Sequence, residues 1–327
     1  MDIVLIIAGL VLLFIGGEAL VRGSVTLSSH LGVSKLLIGV VVVGFGTSAP
    51  ELLVSIKASL QGKPDIAVGN VVGSNIANIL LILGVSSLLQ PIFCKDAAMK
   101  RDAITVFCAS VFLLCIAFFG EITRGIGIVM VLMLVFYLFY SYKAEKKEKA
   151  LISSESSNTS SETLHTAEAE EFMQNISITL SVVMSVTGIV MLMFGADFLV
   201  DGASNIATRF GVSQATIGLS IVALGTSLPE IATAISASLK KESDVIIGNV
   251  LGSNLFNILS ILGVTSIITP ISISQQLAYI DIPIALAVAV IALYFINVRQ
   301  SMGRLIGVGF LGLYGAYMAW LALSSAG

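Results

Sequence analysis

The chain has 327 residues, 56% of them hydrophobic and 11% charged, with a net charge of −3 at pH 7. Soluble domains carry about 25% charged residues, so this composition excludes a protein that covers itself in water and leaves an integral membrane protein. No basic stripe is present, which excludes a nucleic-acid partner.

A helix needs roughly 20 apolar residues to cross the hydrocarbon core of a bilayer. The first such run, 3–21, follows Met1 and Asp2 directly. It has no basic leader and no small-residue cleavage site, so it is expected to be a span rather than a signal peptide. Four more runs follow at 36–60, 68–90, 103–119 and 124–142. A hydrophilic stretch, 143–176, then opens with Lys143, Lys146, Lys147 and Lys149 and turns rich in Ser, Thr and Glu. Such a composition buries no core and reads as a flexible linker. Five further runs fall at 177–200, 215–239, 247–268, 279–297 and 304–324.

The runs on either side of the linker are copies of one another. Gly46-Thr47-Ser48-Ala49-Pro50-Glu51 returns as Gly225-Thr226-Ser227-Leu228-Pro229-Glu230, and Gly69-Asn70-Val71-Val72-Gly73-Ser74-Asn75 returns as Gly248-Asn249-Val250-Leu251-Gly252-Ser253-Asn254. Both pairs share one offset, since 230 − 51 = 179 and 249 − 70 = 179. It also relates Gly16 to Gly195, Gly32-Val33-Ser34 to Gly211-Val212-Ser213, and Pro91 to Pro270. The fold expected is an all-α polytopic membrane protein. It has ten transmembrane helices as two five-helix repeats, 1–142 and 177–327, joined by 143–176. An odd number of spans per repeat makes their topologies inverted. Threading the chain with the linker in the cytoplasm places thirteen Lys and Arg on that side. Only Lys57, Lys63, Arg124 and Arg209 fall on the other. Positive charge gathers on the cytoplasmic side, so both termini are expected outside. Tyr137, Tyr140, Tyr142 and Trp320 fall near span ends, where aromatic belts form.

Glu51 and Glu230 stand in mid-span. A carboxylate at the bilayer centre costs about 2.5–3.5 kcal/mol on insertion scales, and such residues mark ion pathways. Thr47 and Ser48 precede Glu51 by four and three residues, which puts all three on one helix face. Pro50 lacks an N–H and pushes against the carbonyl of Gly46, so the helix should break there and free backbone oxygens. Irregular backbone at this depth is tolerated where it lines a cavity or is buried in protein. Ala223-Leu224-Gly225 and Pro229 repeat the pattern. On the following run, Asn70, Ser74 and Asn78 are spaced by four, as are Asn249, Ser253 and Asn257, with glycines that permit close helix approach. Every donor is a hard oxygen, which suits calcium, sodium, magnesium or manganese rather than thiol-seeking metals. Two carboxylates balance one Ca²⁺ or two Na⁺. Broken helices meeting at mid-membrane between inverted repeats are a transporter design.

These paired motifs resemble those of the calcium/cation antiporter superfamily, in particular its sodium/calcium exchanger-like prokaryotic members. The resemblance covers most of both halves and implies ten helices, alternating access and one central cluster exchanging Ca²⁺ for Na⁺, with no cofactor. It implies ion ligands at Thr47, Ser48, Glu51, Ser74 and Asn78, and at Thr226, Ser227, Glu230, Ser253 and Asn257, with the carbonyls of Gly44 and Ala223. The proton-coupled branch carries a glutamate where this chain has Gly73 and Gly252, which argues against proton coupling. Potassium-dependent and some prokaryotic members carry Asp at the position of Asn257, which weakens the case for potassium transport.

Other polar positions have plainer readings. Asp65, Asp244, Asp102 and Asp281 each precede an apolar run and are expected to cap helices. Glu18 should pair with Arg22 one turn on. Cys108 and Cys115 should pack within their span, and Cys94, Cys108 and Cys115 show no metal or disulfide spacing. There is no Gly-x-Ser-x-Gly elbow and no mid-span histidine, so an enzyme is not expected. A cation channel, or an exchanger using protons, Mn²⁺ or Mg²⁺, is the competing reading. Lipid is the one other partner expected, and oligomeric state is left open.

Overall fold

The computed structural model describes residues 2–155, 177–210 and 223–324. The chain begins with a long helix, α1 (Asp2–Leu31), followed by a bent pair, α2 (Lys35–Thr47) and α3 (Ala49–Leu60), which meet at 44°. Then come α4 (Pro64–Leu89), α5 (Ala97–Ala117) and α6 (Arg124–Glu155). The second half holds α7 (Ile178–Arg209), a short α8 (Ala223–Gly225), α9 (Leu228–Leu239), α10 (Ser243–Ile268), α11 (Leu277–Arg299) and α12 (Arg304–Ser324). Among the described residues, seven helices are long and apolar enough to cross a membrane, or eight if the bent pair is one span. α5 carries Lys100, Arg101 and Asp102 near its start, and α9 is only 12 residues long. The Gly211-Val212-Ser213 motif, and most of the run before α9, lie outside the described residues.

The most apolar helices are not the most buried. α10 buries 94% of its membrane-crossing stretch and α4 72%, whereas α12 buries 11%. The helices with the Gly-Asn and Ser-Asn motifs therefore form the centre, and α1, α6, α7 and α12 turn apolar faces outward, where lipid takes the place of a core. Cys108 and Cys115 face outward too, contrary to the expectation that they pack inside, while Cys94 is buried.

Helices at equivalent sequence positions pack as a crossed pair. α1 runs antiparallel to α7: Gly9 meets Gly195, and Gly16 meets Gly188. A Cβ on Gly9 would lie 2.7 Å from the Gly195 carbonyl oxygen, so only glycine allows this contact. Nearer the centre, Gly252 rests on Val40 of α2, where a Cβ would stand 2.7 Å from its backbone.

Two short antiparallel ladders depart from the all-helical expectation. β1 (Ile92–Phe93) pairs with β4 (Ser301–Met302), and β2 (Glu121–Ile122) pairs with β3 (Ile271–Ser272). Each joins one half to the other. α5 separates β1 from β2, so its 21 residues hold the ladders at opposite ends, about 30 Å apart. At the β1 end, Lys35 bonds Glu242 at 3.0 Å, Lys240 bonds Glu18 at 2.9 Å, and Glu145 accepts from the Ser34 N–H and hydroxyl at 3.0 and 2.7 Å. Glu18 also pairs with Arg22. At the other end Arg209 meets Asp2 at 2.7 Å.

Several boundaries differ from the sequence reading. α6 continues past residue 142 to Glu155, so the linker's first part is helical. None of the four aspartates caps a helix with its side chain. Lys63 and Glu242 occupy the caps of α4 and α10, and Asp65 and Asp244 sit in the first turns, where an acid still favours the helix dipole. Asp102 lies within α5, already begun at Ala97, and pairs with Arg101 at 2.8 Å. Asp281 lies inside the continuous α11.

Candidate functional site: a cluster of buried oxygens

Each helix breaks near its proline, but at Ser48 and Ser227 rather than at Gly46 and Ala223-Leu224-Gly225, which are helical. Ser48, at φ −82° and ψ 7°, separates α2 from α3, and Ser227, at φ −88° and ψ 1°, separates α8 from α9. Pro50 and Pro229 then open the next helices, where their missing N–H costs nothing. Glu51 and Glu230 fall in the first turns of α3 and α9 and are 1% and 2% exposed. The two carboxyl groups come from opposite halves and lie within electrostatic reach of each other.

The first-half hydroxyls lie against the second half. The Ser48 hydroxyl donates to Glu230 Oε1 at 3.3 Å. Thr47 Oγ1 donates to the Val43 carbonyl at 3.0 Å and lies 3.3 Å from Asn249 Oδ1. Ser253 donates to the Gly44 carbonyl at 3.3 Å. That carbonyl also receives the Ser48 N–H at 3.2 Å, so it is less free than a proline break alone suggests. Thr226 stands beside Glu51. Ser227 is buried at the break and Ser74 is buried on α4. Ala223 begins α8.

Asn78 and Asn257 each start a π-helical turn, Asn78–Ile82 and Asn257–Leu262. Such bulges redirect side chains and gather at functional sites. Both asparagines are 1% exposed, and both turn their amide nitrogens to partners on the opposite half. Their oxygens are left without one. Five buried acceptors in the cluster thus lack a donor: both oxygens of Glu51, Oε2 of Glu230, and Oδ1 of Asn78 and Asn257. A buried unpaired polar group costs about 1–3 kcal/mol, and more if it is charged. Five together, all acceptors and supplied by both halves, are the kind of unmet demand that a desolvated cation would satisfy. Among the described residues no three His, Cys, Asp or Glu gather to hold a resident metal. Two carboxylates amid neutral oxygens have the chemistry of a site for hard cations.

Four further asparagines support the site: sequence reasoning placed Asn70 and Asn249 on the partner face and missed Asn75 and Asn254. Asn70 and Asn249 donate to the backbone carbonyls of Glu51 and Glu230 at 3.1 and 3.3 Å, fixing each glutamate's helix turn. Asn75 and Asn254 bond to each other's carbonyls and to the amides of Asn257 and Asn78. All four belong to the duplicated Gly-Asn and Ser-Asn motifs, and that repetition was the available signal.

Known proteins share this architecture. The chain is 33% identical over 320 residues to the inner membrane protein YrbG of Escherichia coli strain K12, covering 98% of this chain and 95% of that one. It is 30% identical to the sodium/calcium exchanger MaX1 of Methanosarcina acetivorans, with 98% of each chain covered. Its structure matches that of the sodium-calcium exchanger NCX_Mj soaked with Na⁺ and Sr²⁺, with a TM-score of 0.82, 29% identity and 97% of each chain covered. The family described as sodium/calcium exchanger protein matches residues 1–143 and 180–323. The chain thus belongs to the sodium/calcium exchanger protein family of membrane antiporters.

Proposed function

We propose that this protein exchanges Na⁺ for Ca²⁺ across a prokaryotic cytoplasmic membrane by alternating access to the oxygen cluster around Glu51 and Glu230. The observation that carries this reading is the set of five buried acceptors without donors. Ca²⁺ takes 6–8 oxygens in flexible geometry. Glu51, Glu230, Asn78 and Asn257 supply the unpartnered oxygens. The hydroxyls of Thr47, Ser48, Thr226, Ser227, Ser74 and Ser253 and the carbonyls of Gly44 and Ala223 complete the shell. Several oxygen subsites around two charges let one divalent ion be replaced by two or more monovalent ions.

The architecture proposed is ten spans in two inverted five-helix repeats. α2 with α3 forms one span, and the run ending in α9 forms its counterpart. The antiparallel packing of α1 on α7 supports the inversion. The excess of Lys and Arg at the linker end supports a cytoplasmic linker and outer termini. The names of MaX1 and NCX_Mj support sodium as the counter-ion.

The test is ⁴⁵Ca uptake into proteoliposomes loaded with Na⁺, K⁺ or buffer alone, with the pH gradient varied separately. Uptake that requires internal Na⁺ is expected. Uptake indifferent to Na⁺ and driven by pH would replace sodium with protons, and uptake needing no counter-ion would indicate a channel.

A further inference from the structure

We infer that Asn75 and Asn254 are positioning residues that fix, each across the boundary between the halves, which end of the Asn257 and Asn78 amides faces the cation. The inference rests on the cation-site reading above.

An asparagine amide has an acceptor end and a donor end of nearly equal shape, so only its partners decide which way it points. Four buried asparagines here form a closed set. Asn75 Nδ2 donates to the Asn254 carbonyl at 3.3 Å, and Asn254 Nδ2 donates to the Asn75 carbonyl at 3.4 Å. A backbone carbonyl only accepts, so each of these side chains must present its nitrogen there and its oxygen away. Asn75 Oδ1 then accepts from Asn257 Nδ2 at 2.9 Å, and Asn254 Oδ1 accepts from Asn78 Nδ2 at 2.9 Å. With their nitrogens committed, Asn257 and Asn78 leave Oδ1 unpartnered and buried. Polarity is thus relayed from a backbone carbonyl, through one asparagine, to a cation ligand. The relay is crossed: α4 orients the ligand on α10, and α10 orients the ligand on α4. Released from the relay, Asn257 could turn an N–H toward the cation.

The experiment compares Asn75→Ala in two backgrounds, native Asn257 and Asn257→Asp, by Ca²⁺ calorimetry and by the KM and maximum rate of ⁴⁵Ca uptake. A carboxylate has no donor end to misdirect, so it needs no orientation. Asn75→Ala is expected to weaken Ca²⁺ binding and raise KM about tenfold with Asn257 present, as for loss of one charged-group hydrogen bond, with the maximum rate little changed. With Asp at position 257 the same substitution should add no further loss. An equal loss in both backgrounds, the mark of a merely structural role, overturns the inference, as does no loss in either. If Asn75→Ala does not purify as a single folded species, Asn254→Ala against Asn78→Asp reads the mirror relay by the same criteria. A Glu51→Gln control that still binds Ca²⁺ with native affinity would remove the site itself rather than the positioning.

Discussion

Glu51 keeps two buried oxygens without a donor while Glu230 stands within electrostatic reach. Without a cation, each carboxylate loses its hydration and is repelled by the other, and against this Glu230 has the Ser48 hydroxyl at 3.3 Å. Neutralising one should therefore relieve the empty protein while removing its affinity for ions. Glu51→Gln and Glu230→Gln are each expected to reduce ⁴⁵Ca uptake by more than about a hundredfold, since a buried charge pairing is worth several kcal/mol. Each should still purify folded, with a cation-free melting temperature at or above that of the wild type and no further rise on adding Ca²⁺. The glutamates were legible in the sequence because an acid in an apolar run is costly and this one recurs at a fixed offset. The roles of Asn75 and Asn254 were not, because their bonds cross between halves and no spacing along one helix encodes them.

The bent helices followed from Pro50 and Pro229 read with their Ser and Gly neighbours, and the breaks fall at Ser48 and Ser227, two residues before each proline. The π-turns at Asn78 and Asn257 and the two-residue ladders were not legible, since neither leaves a periodic trace. Contacts this close are sensitive to one carbon. Gly252→Val would place side-chain atoms against the backbone of Val40. It is expected to cost about 1–3 kcal/mol, as overpacking does, lowering the melting temperature and weakening Ca²⁺ binding together, since Ser253 and Gly44 meet beside it. The β1–β4 ladder has its own marker. The Cys94 N–H donates to the Gln300 carbonyl at 2.9 Å, and burial, with Asp244 and Asp96 nearby, pushes its thiol up to about 12. Almost none is thiolate at pH 8, and the thiolate is the nucleophile. A Cys108→Ser, Cys115→Ser protein should thus resist maleimide while folded and react at once in denaturant. Rapid labelling of the folded protein would show that the ladder opens.

Across the whole molecule, duplication set what could be read. One offset related the halves, and their complementary surfaces appear in the antiparallel glycine contacts of α1 and α7 and in the two cross-half ladders. Composition alone could not reveal which helices face lipid, because α4 and α10 are central despite carrying the polar motifs. Orientation is open to direct measurement. In a cysteine-free background, Lys63→Cys should react with an impermeant maleimide added outside intact cells, and Lys147→Cys only after permeabilisation. The opposite pattern would invert the proposed topology. The proposed shared site is tested most directly by calorimetry of Ca²⁺ binding to the purified protein in Na⁺-free buffer, with Glu51→Gln alongside. One saturable Ca²⁺ site in the wild type, displaced by Na⁺ and absent from the variant, is the expected result. Undiminished Ca²⁺ binding by the variant would contradict a cation held between the two glutamates.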